Sequence, residues 1–355
     1  MATQADTLPA MRTAILLVTG LLTITACSSS PGSPSATPTS TAGPAATSTS
    51  ITAPASTAPA STAAASSSTT SVAAAGSTTA APGSAVVPDP SRPYTVVVPS
   101  SYHPGTPTPL VILLHGFGAS GAIQDAYFGM TALAQQKGFL YVHPDGTVNI
   151  IGKQFWNATD ACCNFHSNVD DVAYLTGIID QVSAQYDVDP KRIYFMGHSN
   201  GGFMSYRMAC ELSDRVAAIA SMAGATFDDP ARCAPKEPVS VLQVHGTADG
   251  TIAYAGGVTP VINGRYPGAA TTVSTWATYN RCTGTRSAVG APRDLVPNIA
   301  GAESQRSAFS GCPKGIDVQL ITVNGGPHVP TVAFPDGSRP MIESMVDFLL
   351  AHPKP

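Results

Sequence analysis

Three side chains, Ser199, Asp249 and His328, stand in the order and settings that nucleophilic catalysis requires. A serine hydroxyl attacks poorly until a base takes its proton, and the base works best when a third group orients it. Ser199 lies in Gly197-His198-Ser199-Asn200-Gly201, after an apolar run at 192–196 and before a helical pattern at 202–212. A strand, a sharp turn and a helix in succession would hold the serine on a strained bend, with flanking glycines avoiding clashes. The helix start behind it adds partial positive charge. The chain order expected of such a bend is serine, then acid, then histidine. Asp249 follows the apolar run 239–244, and His328 follows the run 318–323. Asp228 and Asp229 compete with Asp249 but fall in the loop after an earlier strand. His115, His143, His198 and His245 precede the required station or occupy turns, and are read as loop and packing residues.

This chemistry also needs donors for a tetrahedral oxyanion. One is expected from the backbone N–H of Asn200. The other is expected from the loop in "LVILLHGFGAS", where Phe117 or Gly118 presents an N–H; Phe117 is the chosen donor. No set of spaced ligands suggests a metal, and no cofactor motif is present.

These residues must be positioned by a sheet. Apolar runs at 109–114, 139–143, 192–196, 216–221, 239–244 and 318–323 alternate with helical patterns at 130–137, 172–186, 202–212, 271–279 and 341–351. Several runs are continuous and rich in β-branched residues, as in parallel strands buried on both faces. The expectation is an α/β fold, a mostly parallel twisted sheet with helices on both faces. Residues 94–98 read as an edge strand, and Asp170 and Asp171 as helix-capping residues. Active residues then belong in loops after strands, at the carboxyl edge of the sheet.

The chain has 355 residues with a net charge of −4, from 18 basic and 22 acidic residues. It contains no basic run, which argues against nucleic-acid binding. Only 11% of residues are charged, which favours a neutral substrate. The segment "MRTAILLVTGLLTITAC" reads as a signal peptide over residues 1–26, with Met11 an alternative start. It ends in Ile24-Thr25-Ala26-Cys27, which resembles a bacterial lipobox; Cys27 would then carry two acyl chains and anchor the exported protein to the outer face of the cell membrane. Residues 27–88 are almost wholly Ser, Thr, Ala, Pro and Gly and read as a disordered tether, too poor in apolar side chains to offset the entropy of ordering. The catalytic domain is expected over 89–355, as a monomer.

With Cys27 lipidated, six of the seven cysteines remain in an oxidising compartment. Cys210 and Cys233 both fall near the sheet edge opposite the active residues and are expected to pair. Cys282 follows a helix descending from the catalytic edge and Cys312 precedes the last strand, so they are expected to pair as well. Cys162 and Cys163 lie in the long loop 144–168, as a vicinal disulfide or two free thiols. Trp156 and Phe165 flank that pair, as pocket lining or, for Trp156, core.

Four segments, "PLVILLHGFG", "DVDPKRIYFMGHSNGGFMSYRMAC", "VLQVHGTADGTIAY" and "VNGGPH", together with "WNATDACCNFHSNVDDVAYL", resemble the polyhydroxybutyrate depolymerase-like esterases of the α/β-hydrolase superfamily, which include feruloyl and acetylxylan esterases. With the lipobox, the likeness is greatest to mycobacterial LpqC-type lipoproteins. The resemblance covers about residues 93–353 and implies the same three roles: Ser199 nucleophile, Asp249 acid, His328 base. Many members carry an aromatic residue soon after the histidine. Here Val329-Pro330-Thr331 follow, and no polymer-binding module is appended. A smaller or wall-associated ester is therefore expected rather than a polymer, with short acyl esters, feruloyl or acetyl groups on polysaccharide, hydroxyalkanoate esters and lipid esters all open. The competing readings are a serine peptidase on the same fold and a non-catalytic surface lipoprotein.

Overall fold

The computed structural model describes residues 92–355, except 165, 260 and 261, and the backbone of residues 83–87. The expected signal segment, Cys27, most of the tether and Phe165 lie outside the described residues. In chain order the elements begin with β1 (Gly83–Val87), β2 (Tyr94–Val98), β3 (Thr108–Leu114), α1 (Gly121–Phe128), α2 (Met130–Lys137) and β4 (Leu140–Val142). A small hairpin, β5 (Thr147–Val148) and β6 (Gln154–Phe155), precedes α3 (Asp171–Gln185). Then come β7 (Val188–His198), α4 (Asn200–Glu211), β8 (Val216–Met222) and β9 (Ser240–Gly246). A second hairpin, β10 (Gly256–Val258) and β11 (Arg265–Pro267), leads to α5 (Ala269–Tyr279). The chain finishes with β12 (Arg286–Ala288), β13 (Ser304–Phe309), β14 (Val318–Val323) and α6 (Pro340–Ala351).

Ten strands form one sheet in the order β1-β2-β4-β3-β7-β8-β9-β14-β13-β12. The six from β4 to β14 run parallel, and antiparallel strands flank them on both sides. Period-two alternation divides the core. On β3, Leu110, Ile112 and Leu114 face a layer containing Leu175 of α3, Phe203 of α4 and Trp276 of α5, while Val111 and Leu113 face Phe128, Leu133 and Met345 of α1, α2 and α6. Every residue of β3, β8 and β9 is buried, which explains why β3 and β8 read as near-continuous apolar runs, while β9 also buries Ser240, Gln243 and His245.

Three sequence expectations are corrected here. Residues 94–98 do form a strand, but not an edge: β1 pairs antiparallel with it, from Gly83 opposite Val98 to Val87 opposite Tyr94. The boundary drawn at Asp89 therefore falls inside the first hairpin of the sheet, and Gly83–Val87 belongs to the fold rather than to the tether. Asp170 caps α3 by accepting from the Ala173 N–H, but Asp171 does not cap. Its buried carboxylate accepts from the Asn157 N–H and pairs with Arg92, tying the start of β2 to the segment that leads into α3. Burial raises its pKa, and those partners oppose the rise only in part.

The start of β9, the strand that leads to Asp249, is held by a side chain in place of a strand partner. Asn280, fully buried at the end of α5, accepts from the Val239 N–H and donates to the Val239 carbonyl at 3.0 and 2.7 Å. Asn280→Ala leaves both backbone groups buried without partners, so urea unfolding is expected to show a loss of about 2–4 kcal/mol. A loss under about half a kcal/mol would rule out this role.

Candidate active site

Ser199 occupies the single residue between the end of β7 and the start of α4, with φ 53° and ψ −121°. A non-glycine residue at positive φ costs free energy and persists only where its surroundings enforce it. The enforcement here is close packing. A Cβ at Gly197 would come within 2.3 Å of the Gly201 carbonyl oxygen, and one at Gly201 within 2.1 Å of the Leu114 carbonyl oxygen. The turn is thus pressed against β3. The Ser199 N–H donates to the Met222 carbonyl, and its own carbonyl accepts from Phe203 to open α4.

The Ser199 Oγ lies 2.9 Å from His328 Nε2, and His328 Nδ1 lies 2.8 Å from Asp249 Oδ2. Asp249 Oδ1 accepts the N–H groups of Thr251 and Ile252, each at 2.8 Å, so the carboxylate's two oxygens divide between loop and imidazole. With Nδ1–H donated to Asp249, Nε2 is left as acceptor for the serine proton. Burial pushes the Asp249 pKa upward. Hydrogen bonds from His245 and His328, with the imidazole's charge, outweigh that and hold it well below the usual carboxylate range. His245 Nε2 donates to the Ile252 carbonyl and stands 3.4 Å from Asp249 Oδ2, bracing the acidic loop from beneath. A Cβ at Gly246 would come within 2.0 Å of the Gly326 carbonyl oxygen; this glycine contact lets the loops after β9 and β14 close on each other.

Sequence places His198 as a turn-packing residue, and the structure gives it more. It donates Nε2–H to the His328 carbonyl at 2.8 Å, and its ring lies 5.0 Å from the His328 ring. Tyr127 of α1 packs edge-on against His198 and donates its hydroxyl to the Pro330 carbonyl at 2.6 Å. The backbone on both sides of Val329 is thus anchored. The signal for His198 was its place beside Ser199. Tyr127 carries none, because it lies on α1, for which the sequence shows no helical pattern, and its partner Pro330 is 203 residues away.

The side chain of Asn200 accepts from the Trp156 N–H and donates to the Trp156 carbonyl at 2.7 and 3.0 Å. Trp156 is fully buried core, and its indole N–H donates to the His115 carbonyl. His115 donates Nδ1–H to the Gly116 carbonyl and accepts at Nε2 from the Gly146 N–H. These bonds lock the loop after β3 to the serine turn and to the β5–β6 hairpin. The Asn200 N–H opens α4, a position with no intrahelical acceptor. The Gly118 N–H is committed to the Gln154 carbonyl, and Gly116 packs against Ser199. Disulfides join Cys210 to Cys233, Cys282 to Cys312 and Cys162 to Cys163. The first fastens the far end of α4 to the segment before β9.

Burial, and secondarily the charge of His328, lowers the His198 pKa from 6.5 to about 4. The unfolded chain takes up this proton below pH 6.5 while the folded chain does not. Stability from this group is therefore complete above pH 6.5 and lost as pH falls to about 4. The loss is worth about 3 kcal/mol at the acid end. Urea unfolding between pH 7 and 4 should be flatter by about that amount in His198→Gln than in wild type; parallel profiles would refute it.

The profile of the phospholipase/carboxylesterase family matches residues 95–260. Feruloyl esterase D of Neurospora crassa is 30% identical over 263 residues, covering 70% of this chain and 78% of that protein. Feruloyl esterase B of Piromyces equi is 31% identical over 246 residues, but the match spans 67% of this chain and only 42% of that longer protein. Among solved structures, an acetyl xylan esterase from Aspergillus awamori superposes with a TM-score of 0.51 over 76% of this chain and 99% of its own, at 16% identity. That likeness concerns the fold alone.

Proposed function

The chain belongs to the phospholipase/carboxylesterase family of ester hydrolases, and from that premise we propose that it cleaves carboxylic esters through Ser199, His328 and Asp249. The observation that carries this reading is the unbroken hydrogen-bond chain from Ser199 Oγ through both imidazole nitrogens to Asp249. His328 Nε2 takes the Ser199 proton as Oγ attacks the ester carbonyl. Asp249 keeps the imidazolium oriented and its charge balanced. The carbonyl oxygen, now negative, receives the N–H groups of Asn200 and Phe117. The tetrahedral intermediate collapses when the C–O bond to the alcohol breaks, and His328 returns the proton to the departing alkoxide. Water then attacks the acyl-serine with His328 as base, and the acid is released with Ser199 restored.

The proposed substrate is a neutral ester: a short acyl ester, or an acetyl or feruloyl group on a polysaccharide. The names of the relatives and the low charge of the chain support it. Val329, where polyhydroxybutyrate depolymerase-like enzymes often carry an aromatic residue nearby, supports a small ester over a polymer. We also propose export and lipid anchoring at Cys27 by way of residues 1–26, with the catalytic domain starting at the first strand rather than at Asp89.

Ser199→Ala is expected to lower kcat on p-nitrophenyl acetate and butyrate by more than about 10⁴-fold with the protein still folded. Asp249→Asn is expected to cost about 10⁴-fold, since the amide favours the wrong imidazole tautomer. Equal rates for Ser199→Ala and wild type would end this reading. Incorporation of radiolabelled palmitate, lost in Cys27→Ala, tests the anchor separately.

A further inference from the structure

Several large apolar side chains are exposed on the β5–β6 hairpin and on the loops that carry Phe117 and Val329. The β5–β6 hairpin carries Val148, Ile150 and Ile151 at 58%, 87% and 56% exposure. Such exposure of adjacent isoleucines at a turn costs solvation free energy unless something covers them. Their placement follows from the bonds already described. Gly118 donates to Gln154 of the hairpin, so the hairpin lies against the loop that carries Phe117, 37% exposed, beside the serine turn. Across the site Val329, 59% exposed, directly follows His328 and is held outward between the two anchored carbonyls. Phe117 thus follows Gly116, which packs against Ser199, Val329 follows His328, and the hairpin adjoins the loop that carries Phe117.

Charge narrows what covers them. Between Gly146 and Trp156 the single charged residue is Lys153, at the base of the hairpin tip. An apolar tip above one lysine matches a lipid surface: the isoleucines enter the acyl boundary while the ammonium reaches phosphate headgroups. A second copy of the chain, or a protein partner, seated on the same residues would cover the approach to Ser199. A lipid surface leaves the site facing a phase that contains esters.

We propose that the β5–β6 hairpin, with Phe117 and Val329, is a lipid-adsorption surface that presents the Ser199 site to water-insoluble short-acyl esters, the first of the two substrate types given above. This deepens the ester-hydrolase reading and rests on it. The hairpin is held by backbone hydrogen bonds at Asn149, Gly152 and Lys153, not by the isoleucine side chains, so these can be changed without disturbing its frame.

The test uses the exported chain from residue 27 with Cys27→Ser in every arm, so that neither an acyl anchor nor the apolar signal segment contributes. Flotation with vesicles of phosphatidylcholine and phosphatidylglycerol should recover the parent, and Ile150→Ser/Ile151→Ser should reduce partitioning at least tenfold. Lys153→Gln should reduce binding to phosphatidylglycerol vesicles more than to pure phosphatidylcholine. The rate on tributyrin should rise above its solubility limit in the parent and lose that rise in the double variant, with kcat/KM on soluble p-nitrophenyl acetate unchanged. Vesicle binding that is absent, or equal in parent and double variant, overturns the proposal. So does sedimentation showing a dimer that the double variant dissociates, or adsorption to polyester particles but not to vesicles. Absence of p-nitrophenyl acetate hydrolysis in the parent would instead fault the ester-hydrolase reading, which the vesicle experiment does not depend on.

Discussion

The contact between Gly201 and the carbonyl of Leu114 governs this structure more than any bond between polar side chains. At that point the first turn of α4 meets the end of β3 with no room for a methyl group. Strand, turn and helix are pressed together, and Ser199 is left at positive φ with its Oγ raised toward His328. The same approach brings Gly116 against Ser199, so the loop expected to supply an oxyanion donor is set by the packing that strains the serine. A side chain at Gly201 would separate these parts together, because dense interiors do not yield by an ångström without displacing their neighbours.

Around this contact a set of buried polar side chains is paired with backbone groups. Asn200, Trp156 and His115 form a buried relay that joins the serine turn to the hairpin and to the loop after β3. Asp249 spends one oxygen on loop amides and the other on His328, which fixes both the direction and the tautomer of the imidazole. In a low-dielectric setting each such bond is stronger than in water, and each broken bond more costly. The result is a site assembled before any ester arrives, on loops tied to one another rather than only to the sheet. The tip of the nearby β5–β6 hairpin is the reverse: apolar and exposed.

Much of this could be read along the chain. The strands β3 and β8 appear as near-continuous apolar runs because both faces of each are buried, and the buried second half of β7, with most of β9 and β14, reads as largely apolar. Ser199, Asp249 and His328 were legible because each follows such a run, where a loop at the carboxyl edge must begin. The flanking strands were harder. β13 reads Ser-Gln-Arg-Ser-Ala-Phe and has no strong apolar signal, since it lies toward the edge of the sheet beyond the parallel core. β1 sits in a run of small residues that composition alone assigns to a tether; its strand character comes from backbone pairing with β2, and composition does not record pairing.

Local patterning in the chain settled residue types, their order and the alternation of strand and helix, because burial and turn chemistry act over a few neighbouring residues. Tertiary structure alone decided what His198, Tyr127, His245 and Asn200 do. Each acts on a backbone or side-chain group brought near by folding: His198 and Tyr127 on carbonyls 130 and 203 residues away, Asn200 on a tryptophan 44 residues earlier. A hydrogen bond depends on distance in space, and at such separations sequence spacing carries no information about distance. The six cysteines outside the N-terminal segment show both sides of this. Their number and compartment are written in the chain, while their partners depend on which loop ends the sheet brings together.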